Sequence, residues 1–99
     1  MRKIDLTDYE FEGTPFNVRP SLVTVLFNEK KLDGREIIRR DELARKIEAW
    51  PNERLLVEDA EWAKMLSGLN ATDMQPFGRS VVEFIRRVLD APAIDLSKD

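Results

Sequence analysis

A chain of 99 residues without a cysteine can be stabilised neither by disulfides nor by thiolate-bound metal, so it must fold around one small apolar core. Its hydrophobic fraction of 42% is sufficient for such a core, while its charged fraction of 35% exceeds the usual ~25%. We therefore expect a single globular domain over residues 1–92 whose helices carry charged outer faces. We expect residues 93–99 to form a tail that either frays or pairs with the N-terminal strand.

The chain also lacks histidine, and this limits the chemistry it can perform. Histidine and cysteine supply most general bases near neutral pH and most soft nucleophiles. The serines lie in neither a Ser-x-x-Lys nor a Gly-x-Ser-x-Gly setting, and the four scattered glycines form no phosphate-binding loop. We therefore predict no enzymatic activity, no cofactor and no small-molecule substrate.

Carboxylates are the remaining candidates for catalysis or metal binding. Asp8, Glu10 and Glu12 would share one face of a strand, where their oxygens could bind a hard cation such as Mg²⁺. The stretch lacks the glycine turn and the closing glutamate of a Ca²⁺ loop. A solvated strand face is the favoured interpretation, and no metal site is predicted.

Residues 2–18 have the pattern of extended backbone, because apolar and polar residues alternate from Ile4 onward. The alternation changes parity near Asp8, which indicates a bulge or a turn. Gly13-Thr14-Pro15 then separates this run from a second strand predicted at Phe16 to Val18. A β-hairpin is the simplest interpretation.

Segment 20–28 fits either a helix or a buried strand, and the helix is favoured because Pro20 suits a first helical turn. The clearest helix is predicted from about Arg35 to Trp50, where Asp33 and Glu36 form a capping-box pattern. Its charged face is expected to lie in water. The stripe expected to face the core comprises Ile37, Leu43, Ala44, Ile47 and Trp50.

Two further helices are predicted in the C-terminal half. One begins at Asp59, and Gly68 and Asn70 mark its end. The other begins at Pro76, and its wide apolar face is predicted to comprise Phe77, Val81, Phe84, Ile85, Val88 and Leu89. Glu53 to Val57 is either a linker or a short strand. The predicted fold is therefore α+β and mainly helical, with an N-terminal β-hairpin packed on three to four short α-helices.

Aromatic residues give the main indication of function. Three or four short helices and a hairpin carry more large apolar side chains than a small core can readily bury. The remainder would form an exposed apolar surface. We expect that surface to bind a protein partner or a second copy of the chain. The contact residues predicted on the hairpin and the last helix are Tyr9, Phe11, Phe16 and Phe84.

Nucleic-acid binding is the alternative function. Two groups of basic residues could contact phosphates if the fold brought them together, although the net charge of −3 and the interleaved acidic residues oppose this. The residues concerned are Lys30, Lys31, Arg35, Arg39, Arg40, Arg79, Arg86 and Arg87.

Several stretches together resemble small uncharacterised proteins encoded in the structural-gene regions of phages and prophages. These stretches are MRKIDLTDYEFEG, KLDGREIIRRDELARKIEA, LLVEDAEWAKMLSGLN and FGRSVVEFIRRVLDAP. The resemblance spans most of the chain but consists of helical patterning, so it transfers no functional residue. It implies a virion-assembly or accessory role that depends on protein contacts.

The sequence offers no sign of membrane insertion or export. Met1 to Leu6 lacks the apolar core of a signal peptide, and the apolar run from Leu22 to Phe27 is far shorter than the ~20 residues that span a bilayer. We expect a location in the host cytoplasm, with association with the virion as a further option.

Overall fold

A computed structural model describes residues 1–94 of the chain. It has an α+β fold that is mainly helical, as the sequence predicts. The strands are β1 (Arg2–Asp5), β2 (Tyr9–Phe11), β3 (Thr14–Phe16) and β4 (Arg54–Val57). The helices are α1 (Val18–Leu26), α2 (Gly34–Ala49), α3 (Asp59–Ala71) and α4 (Val82–Leu89), with a 3₁₀ segment at Gln75–Val81 before α4.

The predicted hairpin is present between β2 and β3, which pair antiparallel with Tyr9 opposite Phe16. Glu12 and Gly13 both have positive φ, at 51° and 81°, which is the two-residue turn that matches the twist of a hairpin. The second strand lies at Thr14–Phe16, two residues earlier than predicted, so Thr14 and Pro15 pair within the hairpin instead of separating its strands. Its expected last residue, Val18, instead begins α1 and donates its N–H to the Asp8 carboxylate at 2.8 Å.

The first strand does not belong to the hairpin. β1 pairs antiparallel with β4, so Glu53 to Val57 contributes a strand rather than a linker, and Ile4 lies opposite Leu55. The other edge of β1 contacts the end of the described chain. Lys3 donates its N–H to the Pro92 carbonyl at 3.1 Å, and Ile94 donates to the Met1 carbonyl at 2.7 Å. The predicted tail continues through residues 95–99, which lie outside the described residues.

Segment 20–28 is helical for most of its length, and it belongs to a helix that begins earlier, at Val18. The next helix, α2, starts as predicted, because the Asp33 carboxylate accepts the Glu36 N–H at 2.8 Å. The prediction of its core-facing residues is only partly correct, because Leu43, Ala44 and Ile47 are buried but Ile37 is exposed.

One arginine closes the C-terminal end of α2. The Arg19 guanidinium donates to the carbonyls of Ile47, Trp50 and Asn52 at 2.7, 2.9 and 2.7 Å. These carbonyls lie at or just beyond the end of the helix, where no further turn supplies donors. The contact fixes α1 against the connection that leads into β4.

Helix α3 ends at Ala71, one residue beyond the predicted boundary residue Asn70, and Gly68, the other predicted boundary residue, lies inside the helix. Gly68 faces α1, and a Cβ built on it would lie 2.3 Å from the Val25 carbonyl oxygen. The glycine therefore permits a close approach of two helices instead of terminating one.

The predicted last helix is two elements. Gly78 has φ 62° and ψ −140°, a region almost restricted to glycine, and it separates Phe77 from the regular turns of α4. Phe84 and Val88 of α4 are buried, whereas Phe77 is exposed, so these residues do not form one continuous apolar face.

The core lies between the β1–β4 sheet and the helices. Its fully buried side chains include Ile4, Leu22, Ile47, Met65 and Phe84, each from a different element. Within residues 1–94, no helix is both long and apolar enough to cross a membrane.

Candidate functional site

Three of the four predicted contact aromatics pack against one another where the hairpin meets α4. The rings of Tyr9 and Phe16 stack with centroids 4.9 Å apart, and Phe16 lies 5.4 Å from Phe84. The Tyr9 hydroxyl donates to the Ser80 carbonyl at 2.6 Å and accepts the Phe84 N–H at 3.2 Å. Burial raises the pKa of this hydroxyl. The cluster joins the hairpin to α4.

Phe84 is not the exposed contact residue that the sequence predicts, because its side chain is only 1% exposed and belongs to the core. Tyr9, Phe11 and Phe16 are half-buried. The sequence identified these residues as large and apolar, but it could not show which of them face one another.

The basic residues are not all available to phosphates either. Arg40 is 4% exposed, and its guanidinium donates to Glu36 and Glu29 at 2.8 Å each. It also donates to the carbonyls of Leu26 and Lys64 at 3.1 and 3.2 Å. Arg40 therefore ties α1, α2 and α3 together, so both its assignment to a nucleic-acid surface and the expectation that this face of α2 lies entirely in water are wrong.

Arg87 is also committed to internal contacts. Its guanidinium lies 3.0 Å from the Glu83 carboxylate, contacts the Thr7 carbonyl and covers the Tyr9 ring at 5.1 Å. Only 14% of the side chain is exposed. The fold therefore uses Arg87 to hold the segment before the hairpin against α4, which leaves little of its guanidinium available to phosphates.

The other basic residues are distributed over separate surfaces. Lys30, Lys31, Arg35 and Arg39 are exposed around the start of α2. Arg79 and Arg86 are exposed in a shallow cleft beside the hairpin, which is also lined by Arg87, Glu10 and Glu83. None of the basic residues from 30–40 lines that cleft. The acidic side chains further reduce its attraction for phosphates.

The carboxylates near the hairpin form no shared strand face. Asp8 lies outside the strands and accepts the Val18 N–H, while Glu12 lies in the hairpin turn. Within the described part of the chain, no group of three or more acidic side chains is arranged to hold a metal ion.

An open apolar groove of about 430 Å³ lies between the hairpin, α1 and the 3₁₀ segment. Pro15 and Phe16 form the hairpin side, and Val25 and Phe84 contribute from the core. Of the described residues that line this groove, none is charged. This is unusual for a chain with 35% charged residues. We call it the hairpin groove.

The hydroxyl groups along the hairpin groove already have internal partners. Ser21, Thr24 and Thr72 each donate a hydroxyl to the carbonyl four residues earlier, at 2.7, 2.9 and 2.7 Å. The Asn28 amide donates to the Thr72 hydroxyl oxygen at 3.1 Å. An apolar group can therefore cover these hydroxyls without depriving them of a hydrogen-bond acceptor.

Phe77 stands at the rim of the hairpin groove and is 55% exposed. Its backbone is held in place, because its N–H donates to the Met74 carbonyl at 3.1 Å and its carbonyl accepts the Ser80 hydroxyl at 2.7 Å. The sequence analysis placed Phe77 in the apolar face of the last helix and so missed it. The adjacent Gly78 was the available signal, since glycine often marks an interruption of helical backbone.

Comparisons with known proteins assign no relative. No protein-family model, no curated protein and no solved structure matches this chain.

Proposed function

We propose that this chain is a non-enzymatic protein-interaction protein that binds apolar side chains of a protein partner in the hairpin groove. The observation that carries the proposal is the absence of charge among the described residues that line the groove. Water-exposed surface in such a charged chain is expected to carry ionic side chains, unless it is covered by another molecule.

The size and chemistry of the groove support this proposal. Its volume of about 430 Å³ is enough for several apolar side chains. The hydroxyls of Ser21 and Thr24 donate to the carbonyls of Asn17 and Pro20, so an apolar occupant leaves neither hydroxyl without an acceptor. A polar substrate would find few free donors there.

The resemblance to small phage and prophage proteins is the basis for placing this contact in virion assembly, in the host cytoplasm or on the virion. Nucleic-acid binding is less well supported than protein binding. Arg40 and Arg87 are held by internal carboxylates and carbonyls, and the remaining basic residues lie on separate surfaces.

The test is to place a photoreactive amino acid at Thr24, on the groove, or at Ile38, which is 60% exposed on α2 and does not line the groove. Crosslinking is done in cells that naturally express the chain, and the crosslinked protein is identified by mass spectrometry and purified. Its affinity is then measured for wild type, Thr24→Lys and Ile38→Lys.

We expect crosslinks from position 24, an affinity loss of about tenfold or more in Thr24→Lys, and little change in Ile38→Lys, because only the first lysine introduces charge into an apolar contact. Crosslinks confined to position 38, or equal binding by Thr24→Lys and wild type, would contradict the proposal.

A further inference from the structure

We infer that Glu29 is an acid-sensitive latch: its carboxylate holds the connection between α1 and α2 on α3, and protonation of that carboxylate releases the connection while the helices stay folded. The connection comprises residues 27–33. The inference does not depend on the proposed function. It follows from three features: the partners of Glu29, the backbone of Lys31 and the further contacts of Arg40.

Glu29 attaches the connection to two helices at once. Both oxygens of its carboxylate lie 2.8 Å from the Ser67 hydroxyl of α3, and the Arg40 guanidinium of α2 donates to it at 2.8 Å. Of the other residues in the connection, only Leu32 is half-buried, and the rest are exposed. The position of a mostly exposed segment therefore depends on one carboxylate.

The backbone of the connection has a conformation that side chains disfavour. Lys31 has φ 66°, in the left-handed region, where a Cβ crowds the following carbonyl oxygen. Lys30 and Lys31 are exposed, so their side chains supply little packing to offset this cost. Once Glu29 is detached, Lys31 can return to an ordinary φ, which favours release of the connection.

Protonation weakens the contact of Glu29 but leaves Arg40 charged. A neutral carboxyl accepts a weaker hydrogen bond from a guanidinium than a carboxylate does. The other charged groups of the cluster are Glu36, 2.8 Å from Arg40, and Lys64 and Arg39, which lie 3.5 and 4.0 Å from Glu36. With Glu29 neutral, three cations face one carboxylate, and no charge on the connection attracts them.

The helices keep attachments of their own to Arg40. Its guanidinium donates to the carbonyls of Leu26 and Lys64 at 3.1 and 3.2 Å, and neither carbonyl titrates. The hydrogen bond from Arg40 also lowers the pKa of Glu36, so Glu36 stays charged to a lower pH than an ordinary glutamate. The ends of α1, α2 and α3 therefore remain joined when the connection is released.

Release of the connection reaches the hairpin groove through Asn28. This residue directly precedes Glu29, lines the groove and donates its amide to the Thr72 hydroxyl oxygen at 3.1 Å. Detachment of Glu29 therefore loosens the end of the groove at which these two side chains meet.

Backbone ¹⁵N relaxation of the whole chain tests the inference. The amides of residues 29–32 should have order parameters of about 0.85 in wild type at pH ~7, and below about 0.6 in Glu29→Gln at the same pH and in wild type at pH ~3.5. Far-UV circular dichroism should give the same helix content in all three samples. Glu48→Gln is the matched control and should behave as wild type, because Glu48 is exposed near the other end of α2.

The outcomes separate a latch from general acid unfolding. Order parameters near 0.85 in folded Glu29→Gln, or mobile residues 29–32 in wild type at pH ~7, would overturn the inference. Loss of helix content in acid together with release of the connection would also overturn it. If Glu29→Gln does not fold, Ser67→Ala removes the donor on α3 instead. It should lower the same order parameters, and values equal to wild type would contradict the latch.

Discussion

Gly68 of α3 lies so close to Val25 of α1 that a Cβ at position 68 would sit 2.3 Å from the Val25 carbonyl oxygen. The obstacle is backbone, which cannot rotate away as the end of a flexible side chain can. This contact sets the spacing of the two helices and therefore the position of α1, which forms one wall of the hairpin groove.

Replacing Gly68 with alanine should destabilise the protein by about 1–3 kcal/mol, because the overpacking outweighs the ~1 kcal/mol that alanine normally adds to a helix. Gly34→Ala is the matched control, since nothing lies within 4 Å of a Cβ at that position. Urea unfolding measures both. A Gly68→Ala variant at least as stable as wild type would show that α1 and α3 separate without cost.

Replacing Arg40 with methionine should cost about 3 kcal/mol of unfolding free energy, because it leaves Glu29 and Glu36 without their shared cation. This loss is at the lower limit of what breaking a buried ion pair usually costs, because both carboxylates remain partly exposed. Arg39→Met is the control, because Arg39 is 62% exposed and lies 4.0 Å from Glu36. That change should cost less than about 1 kcal/mol. Equal losses in the two variants would contradict this role of Arg40.

Stability should fall in acid partly through Glu36. The hydrogen bond from Arg40 lowers the pKa of this carboxyl in the folded protein, and the charge of Lys64 acts in the same direction. Its contribution is therefore complete above the ordinary glutamate pKa of about 4.3 and is lost as the pH falls through the lower folded pKa. Urea unfolding across this range should give a shallower pH dependence for Glu36→Gln. An unchanged slope would exclude the coupling.

Tyr9→Phe should destabilise the fold by about 1–3 kcal/mol, because it retains the ring but leaves the Ser80 carbonyl and the Phe84 N–H without their partner. The stacking on Phe16 is kept, so thermal unfolding isolates the hydroxyl. A variant as stable as wild type would indicate that these backbone groups find other partners. The result matters for binding studies, since loss of Tyr9 acts first on folding.

Association through the hairpin groove should depend weakly on salt. The described residues that line it carry no charge, so the dissociation constant of the complex with the partner should change less than about threefold between ~0.1 M and ~0.5 M NaCl. Replacing both Arg79 and Arg86 with alanine should leave it unchanged. Binding of mixed-sequence DNA that weakens steeply with salt and disappears in this double variant would instead support the nucleic-acid function.

Local signals in the sequence predicted the elements whose causes are local. Asp33 caps α2 as predicted, and Gly13 correctly indicated a hairpin, because both effects involve residues a few positions apart. The hairpin turn itself is Glu12-Gly13 and not the predicted Gly13-Thr14-Pro15. The pairing of β1 with β4 could not be predicted in the same way. It joins Ile4 to Leu55 across most of the chain, and neither segment encodes its partner.

The site was harder to predict than the fold because burial is decided by tertiary contacts. Arg40 was predicted on an exposed charged surface and Phe84 on an exposed apolar one. Both side chains are in fact buried by residues distant in sequence. Phe77 shows the opposite error, since its helical spacing indicated the core while Gly78 turns the chain and leaves the ring exposed.

Hydrogen–deuterium exchange of the wild-type chain, alone and with the protein identified by the Thr24 crosslinking experiment, tests most directly whether the hairpin groove is a protein-contact surface. We predict slower exchange in the complex in two segments only, residues 20–28 of α1 and residues 74–81 around Phe77, with no change in residues 34–42 at the start of α2. Protection of residues 34–42 by the partner, with none along the groove, would contradict the account.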